Sequence, residues 1–159
     1  IQPESKDLLV GTHGRMIYKA SIAPQQPLKT DDLSDALIVL DLPKLKHSGR
    51  WGNSYSSWRP PSSPGLDIVF YSQKGGKTAA SIQTADGIVL SETELMADPG
   101  INVISYDVAF SEKGKKNYLS KYKAKLIEAG DGKTYLPKGA YKVILTNQQK
   151  EVSEAFTIE

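Results

Sequence analysis

From residue 66 to residue 158 the sequence consists largely of short segments in which apolar and polar residues alternate, and most of the turns between them contain glycine or proline. Alternation with a period of two is typical of strands that bury one face. Asp86-Gly87 is the strongest hairpin signal, because both central positions of a type I′ turn require positive φ. Strands at this spacing predict a mainly β chain that folds as a β-sandwich. The predicted strands are Leu66 to Ser72, Lys77 to Thr84, Ile88 to Leu95, Ile101 to Phe110, Tyr141 to Thr146 and Ala155 to Ile158.

One stretch interrupts the β pattern and predicts an inserted amphipathic helix over about residues 112–129. Apolar residues spaced by three and four positions lie on one face of a helix. Ser111 is the expected N-cap of this helix, and Gly130 is the residue expected just after the C-terminal end of the helix. The apolar positions are Tyr118, Leu119, Tyr122 and Leu126.

The composition is that of one ordinary globular domain, and it excludes several functions. The chain has 159 residues, of which 39% are hydrophobic and 24% charged, which is close to the average globular profile. A formal net charge of +2 is too small to indicate nucleic acid or a membrane surface as a partner. The sequence contains no cysteine, which excludes a disulfide framework and a thiolate metal site. No apolar run is long enough to predict a membrane span.

The first twenty residues contain a predicted hairpin around VGTHGRMIY, residues 10–18. Gly11, His13, Gly14 and Arg15 form its turn, in which the glycines supply unusual φ angles and the polar side chains bond locally. We prefer this structural interpretation to a catalytic one, because no complete site accompanies the histidine and the arginine. Exposed strand edges seek partners, so we expect the hairpin to pair with a sheet edge or to self-associate.

Prolines and glycines are concentrated in residues 43–65, a loop long enough to be a connector or a functional segment. We place the main domain boundary near residue 45, so that residues 1–45 form a hairpin and linker and residues 46–159 form the sandwich. Within the first segment, residues 30–37 predict a helical turn, and Ala36 to Leu42 predict a buried strand. The chain begins Ile-Gln-Pro, without Met, and we expect it to be a piece of a longer polypeptide.

Both tryptophans lie in one part of this loop, Trp51-Gly52-Asn53-Ser54-Tyr55-Ser56-Ser57-Trp58-Arg59. Aromatic faces stack on sugar rings, and Asn, Ser and Arg side chains hydrogen-bond hydroxyl groups. Trp51, Tyr55, Trp58 and Arg59 are therefore a candidate carbohydrate-binding site. The alternative, which we prefer from the sequence, is that the indoles pack onto the sandwich or a neighbouring domain and hold the loop in place.

Three further groups of residues are of a type found in catalytic or metal-binding sites, but they lack the partners or the spacing that such sites need. Paired acids act as a glycosidase pair only when the two carboxyls face each other across about 5–9 Å. A zinc site needs more than two histidines in separate segments, and no EF-hand spacing supports calcium. The paired acids are Asp31-Asp32 and Glu92/Glu94, the histidines are His13 and His47, and the calcium candidates are Asp98, Asp107 and Asp131.

Two stretches resemble known families. VGTHGRMIY resembles the closing motif of the last blade in sortilin-like and BNR-type β-propellers, where a T-H-G-R turn precedes an aromatic strand. PGINVISYD (Pro99 to Asp107) and YLPKGAYKVIL (Tyr135 to Leu145) resemble the FlgD-type immunoglobulin-like domain, whose pattern includes Asn-x-Val and Leu-Pro-x-Gly-x-Tyr. The sequence departs from that pattern where Tyr106-Asp107-Val108 replaces a Trp-Asp-Gly turn and where the lysine-rich insert follows.

Together the resemblances imply the C-terminal region of a secreted bacterial protein, in which an immunoglobulin-like antiparallel β-sandwich follows a β-propeller. They imply an extracytoplasmic location and the upstream propeller of the same polypeptide as a partner. Proteins of this build are often described as glycosyl hydrolases, but this chain contains no G-x-S-x-G elbow and no acid–base pair of the required geometry. We therefore predict a non-catalytic accessory domain with no cofactor and no metal. A carbohydrate-binding module, with a glycan as partner, is the alternative.

Overall fold

The computed structural model describes residues 4–11, 13, 17–23, 33, 37–56, 58–148 and 150–159. The chain divides into two compact units, Ile1–Ala36 and Leu37–Glu159. The helical turn predicted over residues 30–37 lies almost entirely outside the described residues. Within the described part of the chain, no helix has both the length and the apolar character needed to cross a membrane.

The first unit contains the predicted hairpin. Strand β1 (Asp7–Gly11) pairs antiparallel with β2 (Ile17–Ser21) in a two-stranded sheet. The side chain of Asp7 is nearly buried and forms an ion pair with Lys19, in which Oδ2 and Nζ lie 2.8 Å apart. The other strand residues are exposed, and the apolar ones, Leu8, Leu9, Val10, Ile17 and Tyr18, are exposed with them. The hairpin therefore has apolar surface that its own two strands do not cover.

The second unit is a sandwich of two antiparallel sheets, as the spacing of the strands predicted. One sheet has the order β3-β4-β7 and the other the order β6-β5-β8-β9. Apolar side chains from the inner faces of both sheets form one core cluster, in which Leu66, Ile68 and Phe70 are completely buried. Burying a side chain of this size contributes about 1.5–3 kcal/mol. The strands are β3 (Leu37–Asp41), β4 (Leu66–Ser72), β5 (Gly76–Thr84), β6 (Val89–Ala97), β7 (Gly100–Tyr106), β8 (Gly139–Asn147) and β9 (Lys150–Ile158).

The second unit begins earlier than the boundary that we predicted near residue 45. Strand β3 is the strand predicted over Ala36 to Leu42, and it pairs with β4 from Leu37↔Ser72 onward. Its inward side chains Leu37 and Val39 pack against the core. This pairing assigns the segment to the sandwich and not to a linker, and a count of prolines and glycines along the chain does not detect it.

The helix α1 (Glu112–Tyr122) is shorter than predicted. Ser111 is the N-cap, as expected, and its side chain accepts a hydrogen bond from the backbone N–H of Gly114. The predicted end at Gly130 is wrong, because Lys123 adopts φ 48° and caps the helix after Tyr122. Gly114 is the buried residue of α1, and a Cβ there would lie 1.8 Å from the carbonyl oxygen of Leu90. Close packing of the helix on β6 thus depends on this glycine.

Two turns differ in detail from the sequence prediction. The Asp86-Gly87 hairpin joins β5 to β6, but only Gly87 has positive φ (90°). Its amide donates to the carbonyl of Thr84, so the loop is a three-residue turn with a left-handed glycine and not a type I′ turn. Strand β7 ends at Tyr106, earlier than the predicted Phe110, because the buried residue Val108 has φ 59°. Such a φ is rare for a β-branched residue.

The start of β8 carries a tyrosine turn typical of immunoglobulin-like sandwiches. Tyr141 is buried, and its hydroxyl donates to the carbonyl of Pro137 at 2.7 Å. The bond runs back four residues, as in a tyrosine corner. Burial raises the pKa of Tyr141, so the phenol stays protonated and keeps donating. The Leu136-Pro137-Lys138-Gly139-Ala140-Tyr141 stretch therefore fixes the entry of β8 into its sheet.

Candidate functional site

The aromatic loop, which we define as residues 51–62, is anchored at its base by Trp51. This indole is 9% exposed and belongs to the core cluster. Its ring contacts His47 and Tyr135, with centroids 4.9 and 6.0 Å away. Trp51 also forms an isolated bridge with Ser62, which closes the loop on itself. This burial agrees with the packing role that the sequence favoured for Trp51, and its role in binding carbohydrate stays a prediction.

A glycine and an asparagine next to Trp51 hold the loop against the segment of residues 129–135. Gly52 has φ 72°, and a Cβ there would lie 2.5 Å from Cβ of Ala129 and 2.6 Å from Cε2 of Tyr135. The side-chain oxygen of Asn53 accepts from the amide of Gly130 at 3.0 Å. These contacts leave no room for a larger residue at position 52. They hold the base of the loop in place against the sandwich.

The tip of the loop points its aromatic residues outward. Tyr55 is 85% exposed and Trp58 is 77% exposed. The Ser54 hydroxyl lies within hydrogen-bond distance of the carbonyls of Ser56 and Arg59 and can donate to either one. The amide of Arg59 donates to the carbonyl of Ser56 at 3.1 Å. Local bonds thus hold the tip in a turn. The structure separates the four predicted residues into one buried anchor and three exposed ones.

A cleft of about 400 Å³ lies beside the loop tip. Arg50, Asn53, Ser54, Tyr55 and Arg59 line it. Arg59 also places Cζ over the Trp58 ring, 5.2 Å from the centroid, a geometry in which the ring and the guanidinium attract. The sequence pattern indicated the aromatic residues and Arg59 but not Arg50, whose only signal is its position directly before Trp51.

A second cleft, of about 360 Å³, also has Asn53 in its lining. His47, Trp51, Tyr135 and residues 125–129 line it as well. Tyr135 donates a hydrogen bond to Asp131 at 2.5 Å. Burial and this bond raise the pKa of Tyr135 to about 12. The phenol of Tyr135 is therefore protonated at neutral pH, and Asp131 accepts its hydrogen bond.

The acidic residues that we considered as catalytic or calcium-binding form ordinary ion pairs or lie exposed. Glu92 and Glu94 lie on the exposed face of β6, and Lys77 pairs with Glu94 at 2.8 Å. The proton-donating carboxyl of a glycosidase instead lies in apolar surroundings. Asp107 and Asp131 converge on Lys133: Nζ donates to Asp107 at 2.7 Å, and the amide donates to Asp131 at 3.1 Å. Asp31 and Asp32 lie outside the described residues, and no metal-binding group of three or more His, Cys, Asp or Glu occurs in the part that is described.

Sequence patterns did not reveal the cluster around Asp86. This carboxylate accepts hydrogen bonds from Thr84, from Tyr122 at 2.6 Å and from Lys121. Hydrogen bonds, above all the one from Lys121, lower the pKa of Asp86 well below its usual range. The cluster ties the end of α1 to the β5–β6 turn. Each group is paired, so its role is to hold the helix in place.

The turn residues of the N-terminal hairpin are only partly described. Gly11 ends β1, and His13 is exposed. Gly14 and Arg15 lie outside the described residues. The structural interpretation of this turn therefore stays a prediction.

Comparisons with known proteins do not assign the chain to a family. No family model and no curated protein matches it. Among solved structures, a β-glucosidase from Listeria innocua in complex with gluconolactone matches with a TM-score of 0.35 and 8% identity, over 77% of this chain and 16% of that chain. A β-glucosidase from Erythrobacter marinus matches with a TM-score of 0.28 and 12% identity, over 61% of this chain and 13% of that one. TM-scores this low do not establish a shared fold.

Proposed function

We propose that the sandwich is a non-catalytic accessory module that binds carbohydrate through the tip of its aromatic loop. The observation that carries the proposal is the division of the loop into a buried base and an exposed tip. Trp51 is held in the core, whereas Tyr55 and Trp58 are 85% and 77% exposed. Large aromatic rings on a fixed loop offer stacking area at a low cost in conformational entropy.

The polar groups beside these rings support a sugar as the ligand. Asn53, Ser54 and Arg59 line the same cleft as Tyr55. The Arg59 guanidinium can only donate to sugar hydroxyls, whereas amide and hydroxyl groups can both donate and accept. The Asn53 amide and the Ser54 hydroxyl already bond backbone groups of the protein, so the guanidinium is the main polar group left for a sugar. Ligand sites combine aromatic walls with a few placed polar groups in this way.

The test is isothermal calorimetry against hexasaccharides of defined composition. We expect one class to bind, and Tyr55→Ala or Trp58→Ala to weaken that binding about tenfold, which corresponds to the loss of one aromatic contact. Tyr18→Ala is the matched control, because Tyr18 is an exposed aromatic residue of the other unit. Absence of binding to every neutral and acidic hexasaccharide would refute the proposal, as would equal losses from the Tyr18 control.

A second candidate function is that of a domain that packs against a β-propeller of the same polypeptide and orients it. The N-terminal hairpin favours this function, since it is a two-stranded sheet with exposed Leu9, Ile17 and Tyr18. A two-stranded hairpin is at best marginally stable in water without further packing. In this proposal the hairpin closes a sortilin-like or BNR-type propeller, the sandwich is a FlgD-type immunoglobulin-like domain, and the protein works outside the cytoplasm.

Hydrogen exchange tests the second candidate. The amides of β1 and β2 should gain protection when the chain is joined to the propeller, because a neighbouring strand or face covers them. Concentration-dependent protection in the isolated chain would instead indicate self-association through the hairpin. Hairpin amides that exchange freely in both settings would contradict the proposed packing.

A further inference from the structure

The cleft at the loop tip carries an excess of positive charge. Arg50 and Arg59 both line it, and none of the described residues that line it is acidic. A guanidinium carries five N–H donors in a planar fork that matches a carboxylate or a sulfate. The lining therefore suits an anion better than a cation or a purely apolar group.

Neither arginine forms an ion pair with any other described residue. The ion pairs of the described residues all use lysine as the cation, namely Lys19, Lys77, Lys115, Lys121 and Lys133. Arg50 and Arg59 have no carboxylate within ion-pair distance among those residues, and their side chains donate no hydrogen bond there. No carboxylate of the described residues therefore offsets the charges of Arg50 and Arg59, and these charges remain available to a ligand.

The indole of Trp58 restricts where one of these charges lies. The Arg59 guanidinium is stacked on that ring, 5.2 Å from its centroid, and the Arg59 carbonyl is bonded to the Ser54 hydroxyl. Stacking and a fixed backbone reduce the side-chain entropy that Arg59 would lose on binding an anion. Tyr55, which lines the same cleft, provides an uncovered aromatic surface beside the charge.

We infer that the cleft binds the anionic group of an acidic sugar. Arg50 and Arg59 donate charge-assisted hydrogen bonds to its carboxylate or sulfate, and Tyr55 stacks on the pyranose ring. This inference rests on the proposed carbohydrate-binding function and narrows its substrate class. It assigns selectivity between acidic and neutral sugars to the two arginines, and affinity for the ring to the aromatic residues.

The experiment compares four probes by calorimetry: hexagalacturonate, a heparin hexasaccharide, neutral cellohexaose and a hexaglutamate peptide. We expect one of the two acidic sugars to bind at least about tenfold more tightly than cellohexaose and hexaglutamate, and its affinity to fall as salt rises. Tighter binding of hexagalacturonate would identify the recognised anionic group as a carboxylate. Tighter binding of the heparin hexasaccharide would identify it as a sulfate. Arg50→Gln and Arg59→Gln should each weaken this binding about tenfold. Lys116→Gln removes one exposed charge from α1 and should leave it unchanged.

The outcomes separate the inference from the function on which it rests. Equal affinity for cellohexaose and the acidic sugars, with losses only in the Tyr55 and Trp58 variants, would overturn the inference and leave carbohydrate binding intact. Hexaglutamate binding as tightly as the acidic sugars would refute carbohydrate recognition while leaving an anion site. Arginine variants that bind like the wild type, or no binding of either acidic sugar, would also overturn the inference. Thermal unfolding of each variant confirms that the fold is intact.

Discussion

Replacing Gly52 by alanine should destabilise the sandwich through two separable effects. The residue has φ 72°, where a side chain costs about 1–2 kcal/mol. The new Cβ would also meet Cβ of Ala129, Oδ1 of Asp131 and Cε2 of Tyr135 at 2.5–2.6 Å, and overpacking of this kind costs about 1–3 kcal/mol. We therefore expect the free energy of unfolding to fall by about 2–5 kcal/mol.

Two other glycines of the same region separate these effects. Gly132 has φ 80° but nothing within 4 Å of a Cβ, so Gly132→Ala should show the backbone cost alone, about 1–2 kcal/mol. Gly49 has open space and no positive φ, so Gly49→Ala should be neutral or stabilising by up to about 1 kcal/mol. The predicted order of stability is thus Gly49→Ala, then Gly132→Ala, then Gly52→Ala.

Urea unfolding followed by tryptophan emission measures all three. A Trp58→Phe background leaves the buried Trp51, which adjoins Gly52, as the single reporter. If Gly52→Ala were no less stable than Gly132→Ala, the close approach of the loop base to residues 129–135 would be refuted. The loop base would then not be fixed on the sandwich by this contact.

Three further predictions concern the exposure of the indoles, the charge at Asp86 and the strain at Val108. Trp51→Phe should leave red-shifted, iodide-quenchable emission from Trp58, whereas Trp58→Phe should leave blue-shifted, protected emission; the reverse pattern would contradict the buried-base arrangement. The folded-state pKa of Asp86 is lowered, so its stabilising effect is present above the carboxyl's unfolded pKa of about 3.9 and is lost as pH falls below it. The difference in urea midpoint between wild type and Asp86→Asn should therefore shrink between about pH 5 and pH 2, and a constant difference would exclude this role. Val108→Gly should be more stable than Val108→Ala by about 1 kcal/mol, because both lose the buried side chain but only glycine relieves φ 59°; equal or reversed stabilities in the same urea assay would show that the position is unstrained.

The strands of the sandwich were predictable because one physical rule governs them. Each strand faces the core on one side, so the period-two alternation in Leu66 to Ser72 appears directly in the burial of alternate residues. Turns were also predictable at Gly87 and in the segment before Tyr141, because glycine adopts backbone conformations that are sterically unfavourable for other residues. Such signals depend only on neighbouring residues, and they were sufficient for the fold class.

The end of the helix was not predictable in the same way. Tyr118 and Tyr122 continue toward Leu126 at helical spacing, so periodicity alone extends the helix past its true end. What stops it is Lys123 in a left-handed conformation, and lysine carries no sequence signal for that role. The hydrogen bonds that Asp86 accepts from Lys121 and Tyr122 lie 35 and 36 residues away in sequence, which no local pattern encodes.

In the aromatic loop, too, the local sequence does not determine which residues are buried. The contrast between its buried base and its exposed tip is what makes the loop a candidate site. Trp51 and Trp58 occur in similar polar surroundings in the sequence, yet one is buried and the other is 77% exposed. The difference arises from two contacts that are distant in sequence. The amide of Gly130 bonds Asn53, 77 residues away, and the ring of Tyr135 packs on Trp51. Because that contact fixes the base, the entropy cost of ordering the tip has already been met in folding. A loop ordered in this way retains exposed rings and two arginines that form no ion pair with the described residues. Their apolar and charged surface stays in water until a ligand covers it.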